Sequence, residues 1–197
     1  EYLLFLNNDV EIITESWLEE MLQLCQQKDV GMVGAKLYYP DDTIQHAGVV
    51  VGLGGVAAHV LCKLPRDAEG YMGRLRCVQE ISAVTAACMM VKTSVFKAVG
   101  GFDEELKVAF NDIDLCMKVR KYGVKIVFTP YAELYHYESK SRGMEDTPEK
   151  QLRFSREVNC FRRKWERELL KGDPYYNPNL TLNNTDCSLR KQEKNGD

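Results

Sequence analysis

The sequence predicts an α/β protein with a mixed, mostly parallel β-sheet, flanking helices and a C-terminal helical extension. An apolar run from Tyr2 to Leu6 is followed by apolar residues at helical spacing and then by a β-rich run, "VGMVGAKLYYP". Strand, helix and strand in this order are typical of α/β folds. The chain has 197 residues, of which 45% are apolar and 28% charged, so it can bury a sizeable core.

The first strand is apolar on both faces, which is typical of a strand in the middle of a parallel sheet. We therefore expect some of its neighbours to come from an upstream region, and the chain to be a fragment of a longer protein. Ser16 and Glu19 form a capping box before a helix that we expect to reach about Lys28. The run that closes at Pro40 is the next predicted strand.

The middle of the chain alternates between β-like and helical patterns. The stretch "HAGVVVGLGGVAAH" predicts a strand and a glycine-rich loop, whose spacing does not match a dinucleotide-binding fingerprint. A flexible turn is the favoured interpretation of this loop, and a ligand-contacting loop is the alternative. "ISAVTAACMMVKTSVFKAVGG" predicts a strand and a short helix. A second clear helix is expected from Asn111 to Gly123, followed by the strand "VKIVFTP" and the extended piece "AELYHYE".

A long helix is predicted near the C-terminus, with Thr147 as its cap and Pro148 at its first position. One stripe of this helix is apolar and contains Phe154, Val158, Phe161, Trp165 and Leu169. Between Lys140 and Lys171, ten Lys or Arg residues stand against six Asp or Glu. A solvated helix face is the favoured interpretation, and peripheral contact with an anionic membrane is the alternative. The remaining tail is expected to wrap the surface or to be disordered.

Charge and cysteine content exclude several classes of protein. A formal net charge of -3 and a pI near 5.7 provide no overall basic field, so nucleic acid is not an expected partner. Seven cysteines without a CxxC pair fit neither a disulfide framework nor a zinc site. We expect a reducing, cytoplasmic location.

Asn7, Asn8 and Asp9 directly follow the first strand. Ligands of α/β sheets bind at the carboxyl ends of the strands. Mg²⁺ or Mn²⁺ typically takes one or two carboxylates while substrate phosphates fill other positions. Because Asn and Asp are also common in turns, these residues alone leave a metal site and a strand-ending turn equally open.

The helix that begins at Asn111 carries two aspartates with different surroundings. At about 100° per residue, Asp112 projects from the middle of the apolar arc, whereas Asp114 and Lys118 lie on the opposite arc. We expect Asp114 to pair with Lys118 in water. Asp112 is interpreted as a general base at a cleft, and an N-terminal capping aspartate is the alternative.

Three histidines complete the polar candidates. His136 ends an extended run just before Lys140 and Arg142, two side chains that could neutralise a phosphate when the loop closes. A packed, hydrogen-bonded histidine is the alternative interpretation of His136. His46 and His59 flank the glycine-rich loop and are structural or adjacent to substrate.

Taken together, four segments resemble glycosyltransferase family 2 with the GT-A fold, in the family's order. "LLFLNNDVEI" resembles its metal-binding DxD strand, and "TAACMMVKTSVFKAVGGFDE" its acceptor-side segment. "FNDIDLCMKVRKYGVKIVFTP" resembles its base helix and following strand, and "AELYHYESKSRG" its histidine and closing loop. The tail "DPYYNPNL" is similar to that of bacterial members that build surface polysaccharides, rhamnosyltransferase-like members included.

The resemblance implies a role for each matching residue. Asp9 would bind Mg²⁺ or Mn²⁺, His136 would contact the metal or diphosphate, and Asn7 would lie near ribose or phosphate. Asp112 would deprotonate the acceptor hydroxyl in a single inverting displacement. Lys140 and Arg142 would belong to a closing lid. The residues expected along the acceptor channel are Ala86, Ala87 and Cys88.

The family resemblance also implies partners and organisation. The donor would be a UDP- or dTDP-sugar and the acceptor a glycan or lipid-linked sugar, at the inner face of the membrane. Residues 1–143 would be the C-terminal portion of the catalytic domain, and 144–197 a helix and irregular tail packed on it. Asn7 and Asn111 stand where the family motifs have Asp and Glu, which lowers the charge available to a metal. The N-terminal units that hold the nucleotide have no counterpart here.

Two other functions fit parts of the pattern. A nucleotidyltransferase would also place Asp9 on a metal but would not need a base at Asp112. In a non-catalytic carbohydrate-binding module, the carboxylates would only cap helices.

Overall fold

The computed structural model describes residues 1–138 and 147–191. Its strands are β1 (Tyr2–Leu6), β2 (Val10–Ile12), β3 (Val30–Tyr38), β4 (Ile44–His46), β5 (Val49–Val51), β6 (Ala57–His59), β7 (Gln79–Glu80), β8 (Cys88–Lys92) and β9 (Lys125–His136). Its helices are α1 (Trp17–Cys25), α2 (Thr93–Ala98), α3 (Asn111–Tyr122), α4 (Pro148–Lys164) and α5 (Glu166–Lys171). Two 3₁₀ segments lie at Leu53–Gly55 and Tyr71–Arg76.

Seven strands form one sheet in the order β1-β8-β3-β9-β2, with β4 paired to β3 and β7 paired to β9. The α/β class with a mixed sheet is confirmed. The expected parallel majority is not found among the described strand pairs, of which only β3 and β9 are parallel. The reason is that β8 lies antiparallel between β1 and β3, while short strands add antiparallel partners to β3 and β9.

Strand β1 lies at one edge of the sheet and pairs only with β8 in the described chain. Its side chains Leu4 and Leu6 are 37% and 41% exposed, so the expectation of a fully buried strand is wrong for this chain.

Two apolar clusters cover the two faces of the sheet. Helix α1 packs Met21 and Cys25 against one face. Helix α3, the C-terminal helices and the tail cover the other face, where Phe161 and Trp165 are buried in the main cluster. The predicted capping box of α1 is wrong, because Ser16 makes no side-chain capping bond. The helix ends at Cys25, three residues before the expected end at about Lys28.

Most other elements follow the sequence pattern. Helix α3 ends at Tyr122 and is followed by Gly123, which adopts a φ of 97°, as a glycine after a helix often does. The Thr147 side chain accepts a hydrogen bond from the Lys150 N–H, which confirms the predicted cap of α4. The two extended pieces expected before Tyr137 form one strand, β9. The tail wraps the surface and buries Tyr176, Leu180 and Cys187.

The glycine-rich loop closes a two-stranded hairpin between β5 and β6.

Within residues 1–138 and 147–191, no helix has both the length and the apolar character needed to cross a membrane.

Candidate active site

The turn between β1 and β2 carries Asn7 and Asp9. We call this turn, together with His136 at the end of β9, the Asp9 edge. The Asn7 N–H donates to the Ala87 carbonyl at 3.0 Å, and the Tyr137 N–H donates to the Asp9 carbonyl at 2.8 Å. The main chain of the turn is therefore fixed to the segment before β8 and to the end of β9. The turn and the metal-site interpretations are compatible, because the turn leaves the Asp9 carboxylate facing His136.

Gln45 on β4 sets the orientation of the His136 ring. Its Nε2 donates to the His136 carbonyl at 3.2 Å, and its Oε1 accepts a hydrogen bond from His136 Nδ1 at 2.7 Å. Nδ1 therefore carries a proton, and in the neutral ring the lone pair is on Nε2. Metal-binding histidines are commonly held in this way, with the second ring nitrogen donating to an oxygen.

The His136 Nε2 atom faces both residues of the β1–β2 turn. It lies 3.0 Å from Asn7 Nδ2 and 3.2 Å from Asp9 Oδ1. Asp9 Oδ1 is buried and has no hydrogen-bond donor among the described residues. Buried polar atoms nearly always have a partner in folded proteins, so this oxygen marks a place where a ligand can bind.

These atoms fit a divalent cation such as Mg²⁺ or Mn²⁺. Asp9 offers a carboxylate oxygen without a donor, and beside it lies His136 Nε2, whose lone pair accepts a hydrogen bond from the Asn7 amide. In the described chain, no three His, Cys, Asp or Glu residues cluster as a complete metal site. Protein ligands alone would leave such an ion under-coordinated, which suits an ion that also binds substrate phosphates.

Asp112 lies in the first turn of α3 and reaches back to the segment before β8. Its Oδ2 accepts the Ala86 N–H at 3.1 Å, and its Oδ1 accepts the Ile113 N–H at 2.9 Å. One bond is therefore made inside the helix and the other across the site. Each carboxylate oxygen can accept a further hydrogen bond, so the geometry leaves capacity for a hydroxyl group.

The expected pairing of Asp114 with Lys118 is confirmed, but Asp114 is buried, so the expectation that the pair lies in water is wrong. Lys118 does lie 3.2 Å from Asp114 Oδ2, but Lys164 also lies 2.8 Å from Oδ1. The Trp165 indole donates to Oδ1 at 2.8 Å. Helices α4 and α5 therefore cover an arc of α3 that the helical wheel assigned to solvent.

The loop before α3 is held by a buried carboxylate of α4. Glu157 is 3% exposed and accepts the N–H groups of Lys107, Val108 and Ala109 at 3.0, 3.1 and 2.9 Å. The next residue, Phe110, has a φ of 63°, which is unusual for a residue other than glycine. The three bonds support a strained backbone two residues before Asp112.

The three residues predicted along the acceptor channel lie in different surroundings. Ala86 and Ala87 bond to Asp112 and Asn7 through their main chains. Cys88 is fully buried, and its thiol contacts Met21 of α1 at 3.8 Å. The structure thus brings Ala86 and Ala87 to the site and places the Cys88 side chain in the core.

His46 and His59 form a pair between β4 and β6, with their Nδ1 atoms 2.9 Å apart. Burial lowers the pKa of His46 well below 6.5 and also lowers the pKa of His59. His59 lines a small cavity of about 100 Å³ together with Gln45 and His136. His46 is therefore a fully buried residue, whereas His59 lies beside the candidate site.

Two site residues, Gln45 and Glu157, were not found from the sequence, and two predicted ones lie outside the described residues. Lys140 and Arg142 lie outside the described residues. Gln45 had no local signal, because only the pairing of distant strands brings it to His136. Glu157 had a signal: it lies three residues after Phe154 and four before Phe161, on the apolar stripe of α4.

A protein-family sequence model described as "Glycosyltransferase like family" matches residues 1–157 of this chain. An "Uncharacterized protein y4gI" of Sinorhizobium fredii is 57% identical over 96% of this chain, which spans 21% of that protein. The O-antigen biosynthesis protein RfbC of Myxococcus xanthus is 41% identical over the whole chain, which spans 15% of it. An N-acetylglucosaminyl-diphospho-decaprenol L-rhamnosyltransferase of Mycobacterium tuberculosis is 36% identical over 32% of the chain and 20% of that protein. The chain thus spans about a fifth or less of these relatives.

Two solved structures share the fold at low sequence identity. The structure of GalNAc-T7 with UDP, GalNAc and Mn²⁺ has a TM-score of 0.57 at 13% identity, over 86% of this chain and 32% of that one. The mannosyltransferase PcManGT of Pyrobaculum calidifontis, in complex with GDP-Man and Mn²⁺, has a TM-score of 0.52 at 14% identity, over 85% and 39%. These likenesses confirm the expected GT-A fold.

Proposed function

Because this chain belongs to the glycosyltransferase-like family, we propose that it carries the metal, acceptor and base groups of an inverting glycosyltransferase. The family match over residues 1–157 confirms the resemblance to glycosyltransferase family 2. The proposed reaction moves a sugar from a nucleotide-diphospho-sugar to an acceptor hydroxyl during the synthesis of a cell-surface glycan.

The Ala86–Ala87 segment is the observation that carries this proposal. Its Ala87 carbonyl accepts from the Asn7 N–H, and its Ala86 N–H donates to Asp112 Oδ2. One dipeptide thus connects the turn that carries Asp9 to the helix that carries Asp112. A donor diphosphate held at the first and an acceptor held at the second would meet along this segment.

Asp112 is proposed to act as the general base. The acceptor hydroxyl oxygen forms a bond to the anomeric carbon while the bond from that carbon to the diphosphate oxygen breaks. The hydroxyl proton passes to a carboxylate oxygen of Asp112, and the nucleoside diphosphate leaves with the bonding electrons. The bonds from Ala86 and Ile113 hold the carboxylate in place during this transfer.

Asp9 and His136 are proposed to hold Mg²⁺ or Mn²⁺, and Asn7 lies beside them to contact the donor. A divalent ion bound there would neutralise charge on the departing diphosphate. The Mn²⁺ in both related structures supports this assignment. We propose a UDP- or dTDP-sugar as donor and a glycan or lipid-linked sugar as acceptor.

The nucleotide-recognition portion is proposed to lie against β1 in the intact protein. The exposed Leu4 and Leu6 side chains and the open edge of β1 support this placement. The seven cysteines are free, which supports a reducing, cytoplasmic location.

The Asp112→Asn substitution in the full-length protein tests the assignment. We expect kcat for sugar transfer to fall about 10²- to 10⁴-fold, because the amide cannot accept the hydroxyl proton. Glu104→Gln, an exposed carboxylate of the loop before α3, is the matched control and should retain activity. Transfer by the Asp112→Asn protein within tenfold of the unmodified rate would show that Asp112 is not the base.

A further inference from the structure

A cleft of about 770 Å³ lies where β3 and β9 pair in parallel. Glu133 lines this cleft, and because successive side chains of a strand alternate, Glu133 and His136 point to opposite faces of β9. Asn7, Asp9 and His136 do not line the cleft. Its volume is within the range of small-ligand sites. The cleft is therefore a candidate binding site that is separate from the Asp9 edge.

A bulge in β9 forms one rim of the cleft. Residues 129–132 of β9 lie opposite Ala35 of β3 alone, because the register of the two strands shifts at this point. A bulge is one of the few places where a sheet accepts a proline, and Pro130 lies in it. Both Pro130 and Tyr131 line the cleft. Bulges beside binding sites commonly re-aim a side chain, and here the re-aimed side chain is that of Tyr131.

Tyr131 presents a fixed aromatic ring at this rim. Its N–H donates to Thr129 Oγ1 at 3.3 Å, and its hydroxyl donates to the Arg76 carbonyl at 3.4 Å. The residue is nevertheless 53% exposed. An aromatic side chain that is already held in place loses little conformational freedom when a ligand packs on it. The apolar C–H face of a sugar ring is a suitable partner for such a surface.

The charged side chains of the cleft largely balance one another. Four carboxylates and three cations line it: Asp41, Asp42, Asp67, Glu133, Lys36, Arg66 and Arg76. Glu133 lies directly across the β3–β9 pair from Lys36. Arg66 lies 3.4 Å from Asp42 and 3.4 Å from Glu133. A charged ligand would compete with pairs that already exist, so the lining favours a ligand without net charge.

Lys36 keeps unused hydrogen-bonding capacity inside the cleft. It is 4% exposed, and among the described residues its ammonium donates a hydrogen bond only to the Leu75 carbonyl, at 3.2 Å. An ammonium has three N–H donors, so further donors are available to a ligand. Buried polar groups nearly always have partners. The lysine therefore marks a place where a neutral oxygen, such as a hydroxyl, can bind.

Asp41 offers an acceptor on the rim of the same cleft. Its Oδ1 accepts both the N–H and the hydroxyl of Thr43, at 3.1 and 2.7 Å. These bonds hold the carboxylate in place and leave its second oxygen for a ligand. The cleft thus combines donors and acceptors at fixed positions. Because each sugar hydroxyl both donates and accepts hydrogen bonds, a saccharide matches this combination.

We propose that this cleft binds a neutral saccharide unit, with its ring on Tyr131 and its hydroxyls bonded to Lys36 and Asp41. The role of the cleft as a subsite for a remote unit of the acceptor glycan rests on the proposed function. The cleft holds the glycan at a distance from the hydroxyl that reacts.

Saturation-transfer difference NMR titrations on the full-length protein, without nucleotide or metal, test this binding. The neutral probes are methyl α-L-rhamnoside, methyl β-D-glucoside and methyl N-acetyl-β-D-glucosaminide, and the charged probes are glucosamine and glucuronic acid. We expect one of the neutral glycosides to bind more tightly than both charged sugars. Absence of binding by all the neutral glycosides, or equal or tighter binding of a charged sugar, overturns the proposal.

Variants locate the binding site on the protein. Tyr131→Ala and Lys36→Met should each weaken the neutral glycoside about fivefold or more. Tyr122→Ala is the matched control, because Tyr122 is 56% exposed and lies outside the cleft, and it should bind normally. The melting temperature of Lys36→Met checks that this variant is folded, and Tyr131→Ala changes a surface residue. Unchanged binding in either cleft variant overturns the proposal.

The Asp112→Asn protein separates this proposal from the proposed function. It should bind the neutral glycoside normally, because Asp112 does not line the cleft. Loss of glycoside binding in Asp112→Asn would place the saccharide at the catalytic site and overturn the proposal. If Asp112→Asn abolishes sugar transfer but the unmodified protein binds no glycoside, the cleft proposal alone is wrong. If the cleft variants weaken binding but Asp112→Asn transfers sugar normally, the base assignment alone is wrong.

Discussion

Asp9 and Asp112 are both carboxylates at the end of a secondary-structure element, but they are satisfied to different degrees. Asp112 accepts main-chain N–H groups of Ala86 and Ile113 with one oxygen each. Asp9 has a buried oxygen without a hydrogen-bond donor among the described residues, beside the lone pair of His136 Nε2.

The difference indicates separate roles for the two sides of the site. The Asp112 side is held by the protein itself, because Glu157 fixes the loop that leads into α3. The Asp9 edge keeps an unsatisfied acceptor, which costs stability unless a ligand binds there. Unsatisfied groups of this kind are more common at functional sites than elsewhere. The following substitutions test whether the contrast is real.

Glu157→Gln is expected to have the largest effect on stability. The amide can accept with only one oxygen, so at least one of the three N–H groups loses its partner and the charge that strengthened the bonds is lost. We expect the free energy of unfolding, measured with urea, to fall by about 2 kcal/mol. The exposed Glu149→Gln on the same helix is the control. Equal stability of the two variants would contradict the view that Glu157 holds the Asp112 side of the site.

The His46–His59 pair, located beside the site, should make stability depend on pH. Burial lowers the pKa of both rings below 6.5, so between their folded values and 6.5 the unfolded chain binds more protons. The free energy of unfolding should therefore fall as pH decreases below about 6.5, by roughly 1 kcal/mol per pH unit for each histidine. Urea unfolding at pH 7.5 and 5.5 measures this change.

His46→Asn is the matched variant for the pH experiment. It removes one of the two titrating groups and should make the loss of stability between pH 7.5 and 5.5 clearly smaller. The same loss in the variant and the unmodified protein would show that other groups cause the pH dependence.

Asp9→Ala should have the smallest effect when no cation or nucleotide is present. The buried Oδ1 has no donor, so its removal costs little and relieves an unsatisfied acceptor. We expect the free energy of unfolding to change by about 0.5 kcal/mol or less. A loss comparable to that of Glu157→Gln would show that the Asp9 edge is a structural element.

The fold and the order of the site residues could be predicted from sequence because local patterns encode them. Helix α3, its Gly123 stop and the Thr147 cap follow from spacing and capping chemistry. The predicted position of β1 inside the sheet was wrong, because β1 is an edge strand. An apolar run shows that a strand can be buried, but it does not show which neighbouring strands this chain supplies.

The errors at the site arose from contacts between distant parts of the chain. A helical wheel places Asp114 opposite the apolar arc of its own helix, but Trp165 and Lys164 from the C-terminal helices cover it. Gln45 reaches His136 only because β4 pairs with β3 beside β9. No local pattern contains this information.

The central claim is that Asp9 completes its coordination with a metal ion and a nucleotide diphosphate. The most direct measurement is the melting temperature of the full-length protein with and without Mn²⁺ and UDP. We predict that both ligands together raise the melting temperature of the unmodified protein and of the exposed turn variant Asn8→Ala, and that Asp9→Ala abolishes the rise. An undiminished rise in the Asp9→Ala protein would contradict the account and place the metal elsewhere.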